Sequence, residues 1–122
     1  MRQIDNYAVN ILQRTKDFSV KIIKLSSDLP KNPAGFTLAD QLVRAATSIG
    51  ANLTEAQEAV SKNDFLYKIS FSLKEAKETK YWLDLIQTSK LIEGNEIAGL
   101  LRENEEIVKI LITILKKLRL KK

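Results

Sequence analysis

Residues 38–56 read LADQLVRAATSIGANLTEA, a segment in which two adjacent helical stripes differ in polarity. At about 100° per residue, one stripe is apolar and consists of Leu38, Leu42, Ala45, Ile49, Leu53 and Ala56. The stripe beside it, which we call the polar ladder, consists of Gln41, Arg44, Ser48, Asn52 and Glu55. Because polar groups at the edge of a core need hydrogen-bond partners, the polar ladder constrains what packs against this helix.

Three breaks divide the chain into four segments with helical periodicity. Both prolines and one glycine fall within residues 30–35, which we predict to be a loop. Residues 61–64 read as a turn with a helix N-cap, whereas Gly94 and Asn95 suit a bend and a cap. We predict helices at about residues 4–29, 38–60, 64–88 and 96–120, with Thr37 capping the second helix in a capping box with Asp40.

Apolar residues in these segments recur at spacings of three and four, which is typical of a left-handed helical bundle. The predicted core positions outside the second helix are Ile4, Ala8, Ile11, Thr15, Phe18, Ile22, Leu25, Leu29, Phe65, Ile69, Leu73, Ala76, Leu83, Ile86, Ile97, Leu101, Asn104, Val108, Leu111, Leu115 and Leu118. No segment shows the alternation of a β-strand. We predict one all-α domain over residues 1–122, an antiparallel up-down-up-down four-helix bundle.

Two of the predicted helices carry a second apolar stripe. The residues are Tyr67, Phe71, Trp82 and Leu85 in the third helix and Ile107, Ile110 and Ile114 in the fourth. A surface helix of a monomer needs one apolar stripe, and a larger exposed patch marks an interaction site. We predict that these residues form a subunit interface in a homo-oligomer. The alternative is a set of separate surface aromatics, which are common singly.

The side chains that most often carry catalysis or hold metals are absent or scattered. The chain has no cysteine and no histidine, which excludes thiolate nucleophiles, histidine bases and the usual zinc or di-iron ligand sets. No glycine-rich phosphate loop is present. Carboxylates lie among lysines at the i,i+4 spacing of a solvated face; the candidates are Glu55, Glu58, Glu75, Glu78 and Asp84. We expect no enzymatic activity, no metal and no cofactor.

No segment reads as a signal peptide or a membrane span. Charged residues interrupt the first thirty positions, so the apolar core of a signal peptide is missing. The most apolar stretch, residues 107–115, contains Lys109 and Thr113 and is too short to span a bilayer. We expect a cytoplasmic protein with no membrane partner.

The positive charge is concentrated in the last fourteen residues. The net charge is +5, but residues 109–122 hold six basic and no acidic side chains, whereas the other residues hold 14 basic and 15 acidic ones. We call the six the basic end: Lys109, Lys116, Lys117, Arg119, Lys121 and Lys122. Such a cluster suits an anionic partner such as RNA or DNA. The simpler interpretation is a solvated helix end that complements the helix dipole.

The polar ladder has three interpretations. Asn52 and Ser48 could fix the register of the bundle, as single buried polar residues do in coiled coils, while Arg44 pairs with Glu75 of the third helix. The ladder could instead belong to a subunit interface or to a ligand site. The spacing of these residues does not choose among the three.

Residues 38–88 carry several segments that resemble one family, the 23S rRNA intervening-sequence proteins, also called ribosomal protein S-23-like proteins. The segments are LVRAATSI at 42–49, NLTEA at 52–56, KNDF at 62–65, SLKEAKET at 72–79 and YWL at 81–83. One departure is Ala56, where many members carry glycine after the glutamate. Alanine keeps the helix intact, so this difference does not weaken the expected fold.

The resemblance implies a four-helix bundle that assembles into a ring, typically a homopentamer. It also implies a role with nucleic acid, because some members are encoded within insertions in ribosomal RNA genes. A related protein, the accessory variability determinant of diversity-generating retroelements, is a basic pentamer that works with a reverse transcriptase. We therefore weigh a nucleic-acid-binding accessory protein that contacts phosphates through the basic end against a protein-interaction scaffold without nucleic-acid contact.

Overall fold

A computed structural model of the chain describes the backbone of residues 5–120 and the side chains of residues 11–120. Four helices account for most of it: α1 (Asp5–Ser26), α2 (Pro33–Ala56), α3 (Lys62–Ser89) and α4 (Glu96–Leu120). No β-strand occurs among the described residues. The all-α prediction is therefore confirmed. The predicted core residues Ile4 and Ala8 lie outside the described side chains.

The start of α2 differs from the prediction. Asn32 has an extended backbone, and its side chain accepts a hydrogen bond of 2.9 Å from the Gly35 amide. Pro33 occupies the first helical position, where its fixed φ suits the helix and its missing N–H costs nothing. Thr37 is therefore not the cap, and the predicted loop at residues 30–35 is wrong beyond residue 32.

The other helix ends follow local chemistry more closely. Ser61 caps α3 by accepting a 3.0 Å hydrogen bond from the Asp64 amide, as the turn at residues 61–64 predicted. Helix α3 ends at Ser89, and the left-handed backbone of the next residue, Lys90 (φ 57°), stops it. Gly94 has a φ of 96° in the next connection, which is the bend that the sequence predicted there.

Helices α2 and α3 run in opposite directions. Lys68, near the start of α3, bonds Glu55 at the end of α2, whereas Glu75, farther along α3, meets Arg44, which comes earlier in α2. Direct contacts link α1 with α2, α2 with α3, α3 with α4 and α4 with α1. With connections of only five or six residues, these contacts are consistent with the predicted up-down-up-down order.

The core is apolar, with a few polar side chains whose donors are satisfied. Ser72 Oγ donates to the Ile49 carbonyl of α2 at 2.8 Å, and Asn104 Nδ2 donates to the Ala76 carbonyl of α3 at 2.9 Å. Thr15 and Thr79 each donate to the carbonyl four residues earlier in their own helix. The first two bonds join adjacent helices, so they act on helix register, which apolar contacts alone specify weakly.

Helix α4 buries a different stripe from the one predicted. Its buried residues are Ile97, Leu100, Asn104, Ile107, Leu111, Ile114, Leu115 and Leu118. Ile107 and Ile114 are 0% and 1% exposed, so the prediction that they face another subunit is wrong. Leu101 and Val108, predicted as core, are only half-buried. The predicted stripe and the buried stripe both alternate spacings of three and four, so periodicity alone cannot tell which of them is buried. Packing against α1 and α3 decides it.

None of the helices in the described part of the chain has an apolar stretch long enough to cross a lipid bilayer.

Candidate functional site

Arg44 is the centre of the polar ladder. Its guanidinium donates to Gln41 Oε1 at 3.3–3.4 Å, to Glu75 Oε1 at 3.4 Å and to Glu78 Oε2. Trp82 Nε1 also donates to Glu78 Oε2, at 2.9 Å. The Glu75 side chain is only 7% exposed, whereas that of Arg44 is 48% exposed. The predicted Arg44–Glu75 pair is therefore present, and the half-exposed side chain of Arg44 reaches from the surface to the buried carboxylate of Glu75.

A second ion pair lies farther along the same two helices. Lys68 Nζ donates to Glu55 Oε1 at 2.7 Å. This hydrogen bond, more than any other influence, raises the pKa of Lys68 above its usual value. Together with the contacts of Arg44, this pair links α2 and α3 at two levels, so the charged members of the polar ladder contact the neighbouring helix.

The uncharged members of the polar ladder do not set the register of the bundle. Ser48 Oγ donates to the Arg44 carbonyl at 2.7 Å, and Asn52 Nδ2 donates to the Ser48 carbonyl at 2.8 Å, both within α2. Both side chains are half-buried. The interpretation of Ser48 and Asn52 as inter-helix register residues is therefore unsupported. The buried bonds between helices come from Ser72 and Asn104.

The aromatic residues predicted as an interface share a face with the polar ladder. Tyr67 is 62% exposed, and its ring lies 6.1 Å from that of Phe71, which Lys74 Nζ covers at 5.0 Å. Phe71 and Trp82 are half-buried, and helical periodicity places both on the side of α3 that carries Glu78. We call this surface the α2–α3 face: Arg44, Tyr67, Phe71, Glu78 and Trp82. Leu85 and Ile110 are half-buried and pack partly against the core.

The face between α1 and α2 was not predicted from the sequence. A groove of about 790 Å³ is lined by Gln13, Lys16 and a majority of small or apolar residues, namely Leu12, Thr15, Ser19, Thr47, Gly50, Ala51 and Thr54. Three large apolar side chains of the same two helices are exposed, namely Val20, Ile23 and Phe36. We call this surface the α1–α2 groove. The signal in the sequence was Val20 and Ile23, which lie opposite the Phe18 and Ile22 core stripe of α1.

The basic end is exposed and attached to a rigid helix. Lys109, Lys116, Lys117 and Arg119 all have exposed side chains. Lys109 Nζ lies 3.6 Å from Glu106 Oε2, an exposed pair of little energetic weight. Leu118 is 1% exposed and holds the last turn of α4 against the core. Lys121 and Lys122 lie outside the described residues.

Most of the carboxylates that the sequence offered as catalytic candidates form ion pairs with basic side chains. Glu75 and Glu78 both contact Arg44, Glu55 contacts Lys68, and Asp84 contacts Lys80 at 3.0 Å. A bidentate pair joins α1 to α4, since Arg14 donates to Glu103 at 2.7 and 2.9 Å, and this hydrogen bonding raises the pKa of Arg14. Within the described part of the chain, no group of three carboxylates could hold a metal ion.

The fold and these surfaces define a class: a small all-α protein in which ion pairs join α2 to α3 and α1 to α4, and whose excess positive charge lies in the second half of α4. Residues 8–113 match the family described as 23S rRNA-intervening sequence protein. The chain belongs to this family.

A solved structure agrees with that assignment. It is a protein from Bacteroides thetaiotaomicron, described as having unknown function and as belonging to the S23 ribosomal protein family. It shares 35% identity with this chain, covers 90% of this chain and 98% of its own length, and has a TM-score of 0.84. No curated protein matches the chain.

Proposed function

We propose that the protein is a non-enzymatic, cytoplasmic accessory protein that binds nucleic acid through phosphates at its basic end. The observation that carries the proposal is the exposure of four cations, Lys109, Lys116, Lys117 and Arg119, in the second half of α4. Residues 109–122 contain no acidic side chain. Phosphate contacts need only positive charge at accessible positions, so binding is expected to be insensitive to sequence and steeply dependent on salt.

The packing of the last turn of α4 against the core also favours nucleic-acid binding. Because Leu118 packs into the core, the cations around it are held on an ordered helix. An ordered array loses less side-chain and backbone entropy on binding than a disordered tail does. Repetition of the same array in a homo-oligomer, a pentamer by resemblance to the family, would multiply the phosphate contacts available to one nucleic acid.

Salt-dependent binding of the full chain to labelled duplex RNA and duplex DNA tests the proposal. The variant replaces Lys116, Lys117 and Arg119 by glutamine, which keeps Leu118, whereas truncation at residue 116 would remove this buried side chain. On duplex DNA, we expect the slope of log K against log salt to fall by about 0.9 for each phosphate that the variant no longer neutralises.

The matched control replaces three exposed lysines of α1 by glutamine, namely Lys16, Lys21 and Lys24. This control changes the net charge equally, so we expect it to leave the slope unchanged. Absence of binding by the unmodified protein at about 50 mM salt, where phosphate contacts are strong, would refute the proposal. Equal effects of the two variants would show that only the net charge matters, and would refute the assignment to the basic end.

A protein-interaction scaffold is the second candidate, and the α2–α3 face favours it. Tyr67 and Phe71 form an aromatic pair on the side of α3 that also carries Glu78, the partner of the half-exposed Arg44. Aromatic and arginine side chains are enriched at protein interfaces. The partner would be a second copy of the chain or another protein, of which a reverse transcriptase is the one that the family resemblance implies.

Light scattering coupled to gel filtration separates self-association from the binding of a different protein. We expect an oligomer at micromolar concentration, because an aromatic surface of this kind needs to be covered. A monomer at that concentration would rule out self-association as the role of Tyr67 and Phe71. Co-purification of a protein partner that survives nuclease treatment would then favour the scaffold.

A further inference from the structure

We infer that the protein binds a single-stranded nucleic acid along the side of the bundle between α3 and α4, with a base stacked on Tyr81. This inference rests on the proposed function, and it adds the form of the nucleic acid and a second part of the binding site. The residues that carry it, which we call the α3–α4 track, are Tyr81, Lys77, Lys74, Lys109, Lys116 and Arg119.

Tyr81 is an exposed aromatic side chain that its neighbours hold in place. It is 57% exposed, and its ring makes an edge contact with the ring of Trp82, with 5.0 Å between the two centroids. Trp82 is itself fixed by the hydrogen bond from its Nε1 to Glu78, which contacts Arg44. An ordered and accessible ring suits the stacking of a base, and the bases of a single strand are free to stack in this way.

Two lysines beside Tyr81 have no acidic partner. At about 100° per residue, Lys74, Lys77 and Tyr81 lie within about 60° of one another on the outer side of α3. Both lysines are exposed, and none of the ion pairs among the described residues includes either of them. The carboxylates of Glu78 and Asp84 on the same helix are already paired with other cations. The charges of the two lysines are therefore available to phosphates.

The cations of α3 and α4 lie on the same side of the bundle. Ala76 and Asn104 mark the contact between these two helices, through a hydrogen bond of 2.9 Å. The residues just before them, Glu75 and Glu103, contact α2 and α1 respectively. Helical periodicity therefore places the track residues on the opposite flank of each helix, where both flanks form the α3–α4 side.

The track runs along the bundle axis from Tyr81 to the basic end. The connection of residues 90–95 is short, so α3 and α4 lie antiparallel. Measured from their contact at 1.5 Å per residue, Tyr81 lies about 8 Å toward one end of the bundle and Lys116 about 18 Å toward the other. The other three lysines follow Tyr81 at steps of about 4–6 Å along the axis. A strand stacked on Tyr81 can therefore pass from one cation to the next until it reaches the basic end.

Glu105 opposes the track. It is exposed and directly follows Asn104, so it lies at the level of Lys74 and Lys77. Its carboxylate repels phosphate, although the five cations of the track outnumber it. Neutralisation of Glu105 should therefore strengthen binding if a strand follows the track. It should have little effect if phosphates contact only the end of α4, because salt screens charges at that distance.

Binding of the full chain to a labelled single strand and to the duplex of the same sequence tests the stacking on Tyr81. Tyr81→Leu keeps an apolar side chain but removes the ring, so we expect it to weaken binding of the single strand by about fivefold or more. We expect unchanged binding of the duplex by Tyr81→Leu, and unchanged binding of both forms by Tyr81→Phe. Trp82 is the single tryptophan of the chain, and we expect the single strand to quench its fluorescence, because its ring contacts that of Tyr81.

Salt dependence tests the lysines of α3 independently. In a variant with Lys74→Gln and Lys77→Gln, we expect the slope of log K against log salt on the single strand to fall by about 0.7 for each phosphate that is no longer neutralised. The matched control carries Lys21→Gln and Lys24→Gln, at exposed positions of α1, and we expect its slope to be unchanged. We expect Glu105→Gln to bind the single strand more tightly than the unmodified chain does. Circular dichroism and light scattering check that each variant keeps its helices and its state of assembly.

The outcomes separate this inference from the proposed function. If the unmodified chain binds neither form at about 50 mM salt, nucleic-acid binding itself is refuted, and this inference with it. If glutamines in the basic end weaken binding but the α3 variants bind the single strand as the unmodified chain does, the basic end stands and the α3–α4 track is refuted. If Tyr81→Leu weakens binding of the single strand and the duplex equally, Tyr81 supports the structure and does not stack on a base.

Discussion

Replacement of Gly35 by alanine is expected to destabilise the protein by about 2–4 kcal/mol. A Cβ at this position would lie 1.8 Å from the Pro30 carbonyl oxygen and 2.7 Å from its carbonyl carbon. Both atoms belong to the backbone, so no side-chain rotation relieves the overlap. The first turn of α2 would have to move away from the α1–α2 connection, and the cap from Asn32 to the Gly35 amide would be broken.

Thermal unfolding followed by circular dichroism at one fixed protein concentration measures this effect. A destabilisation of that size corresponds to a melting temperature lower by about 10 °C for a domain of this length. Gly99 provides the matched control, because its added Cβ would meet only the Arg102 guanidinium at 3.8 Å. Gly99→Ala is expected to stabilise α4 by about 0.5–1 kcal/mol, since alanine loses less backbone entropy. A Gly35→Ala protein that melts like the unmodified chain would contradict the close approach to Pro30.

The second large effect is expected at Ile107, where alanine should cost about 2–4 kcal/mol. Ile107 is fully buried, so truncation removes apolar contacts and leaves a cavity that the neighbouring helices fill only partly. Ile110 lies on the same helix, has the same chemistry and is half-buried. Ile110→Ala is therefore expected to cost clearly less, about 1 kcal/mol.

Urea unfolding of the two variants decides which stripe of α4 faces the core. The midpoint should fall strongly for Ile107→Ala and slightly for Ile110→Ala, with similar slopes. The sequence had predicted that both residues share a subunit interface, which would make the two effects alike. A larger effect at Ile110 would place Ile110 in the core and Ile107 at the surface, contrary to the structure.

Much of the fold could be predicted because each helix carries local signals. The periodic apolar residues of α1 from Ile11 to Leu25, together with Leu29 just beyond it, are buried as predicted, and Ser61 caps α3 in the turn where a cap was expected. The start of α2 was misplaced because Pro33 was taken as loop chemistry. Proline also suits the first turn of a helix when a capping residue precedes it, and Asn32 supplies that cap.

The candidate sites were predictable only in part. The pairing of Arg44 with Glu75 could be predicted from charge and position, but the second partner, Glu78, had been predicted to lie among lysines on a solvated face. The exposure of the basic end could be predicted from the charge of its residues alone. The α1–α2 groove was missed because small residues such as Ser19 and Gly50 give no strong pattern, although together they shape a concave surface.

The amino-acid sequence by itself determined the number of helices, the all-α class, the family and the location of the positive charge. These properties depend on short-range periodicity, on cap and turn residues, and on composition, all of which can be read along one chain. Only the tertiary structure decided which stripe of α4 is buried, which polar residues join helices, and which surfaces stay uncovered. The physical reason is that two stripes with the same alternating spacing differ in free energy only through the neighbours they pack against, and those neighbours come from distant parts of the chain.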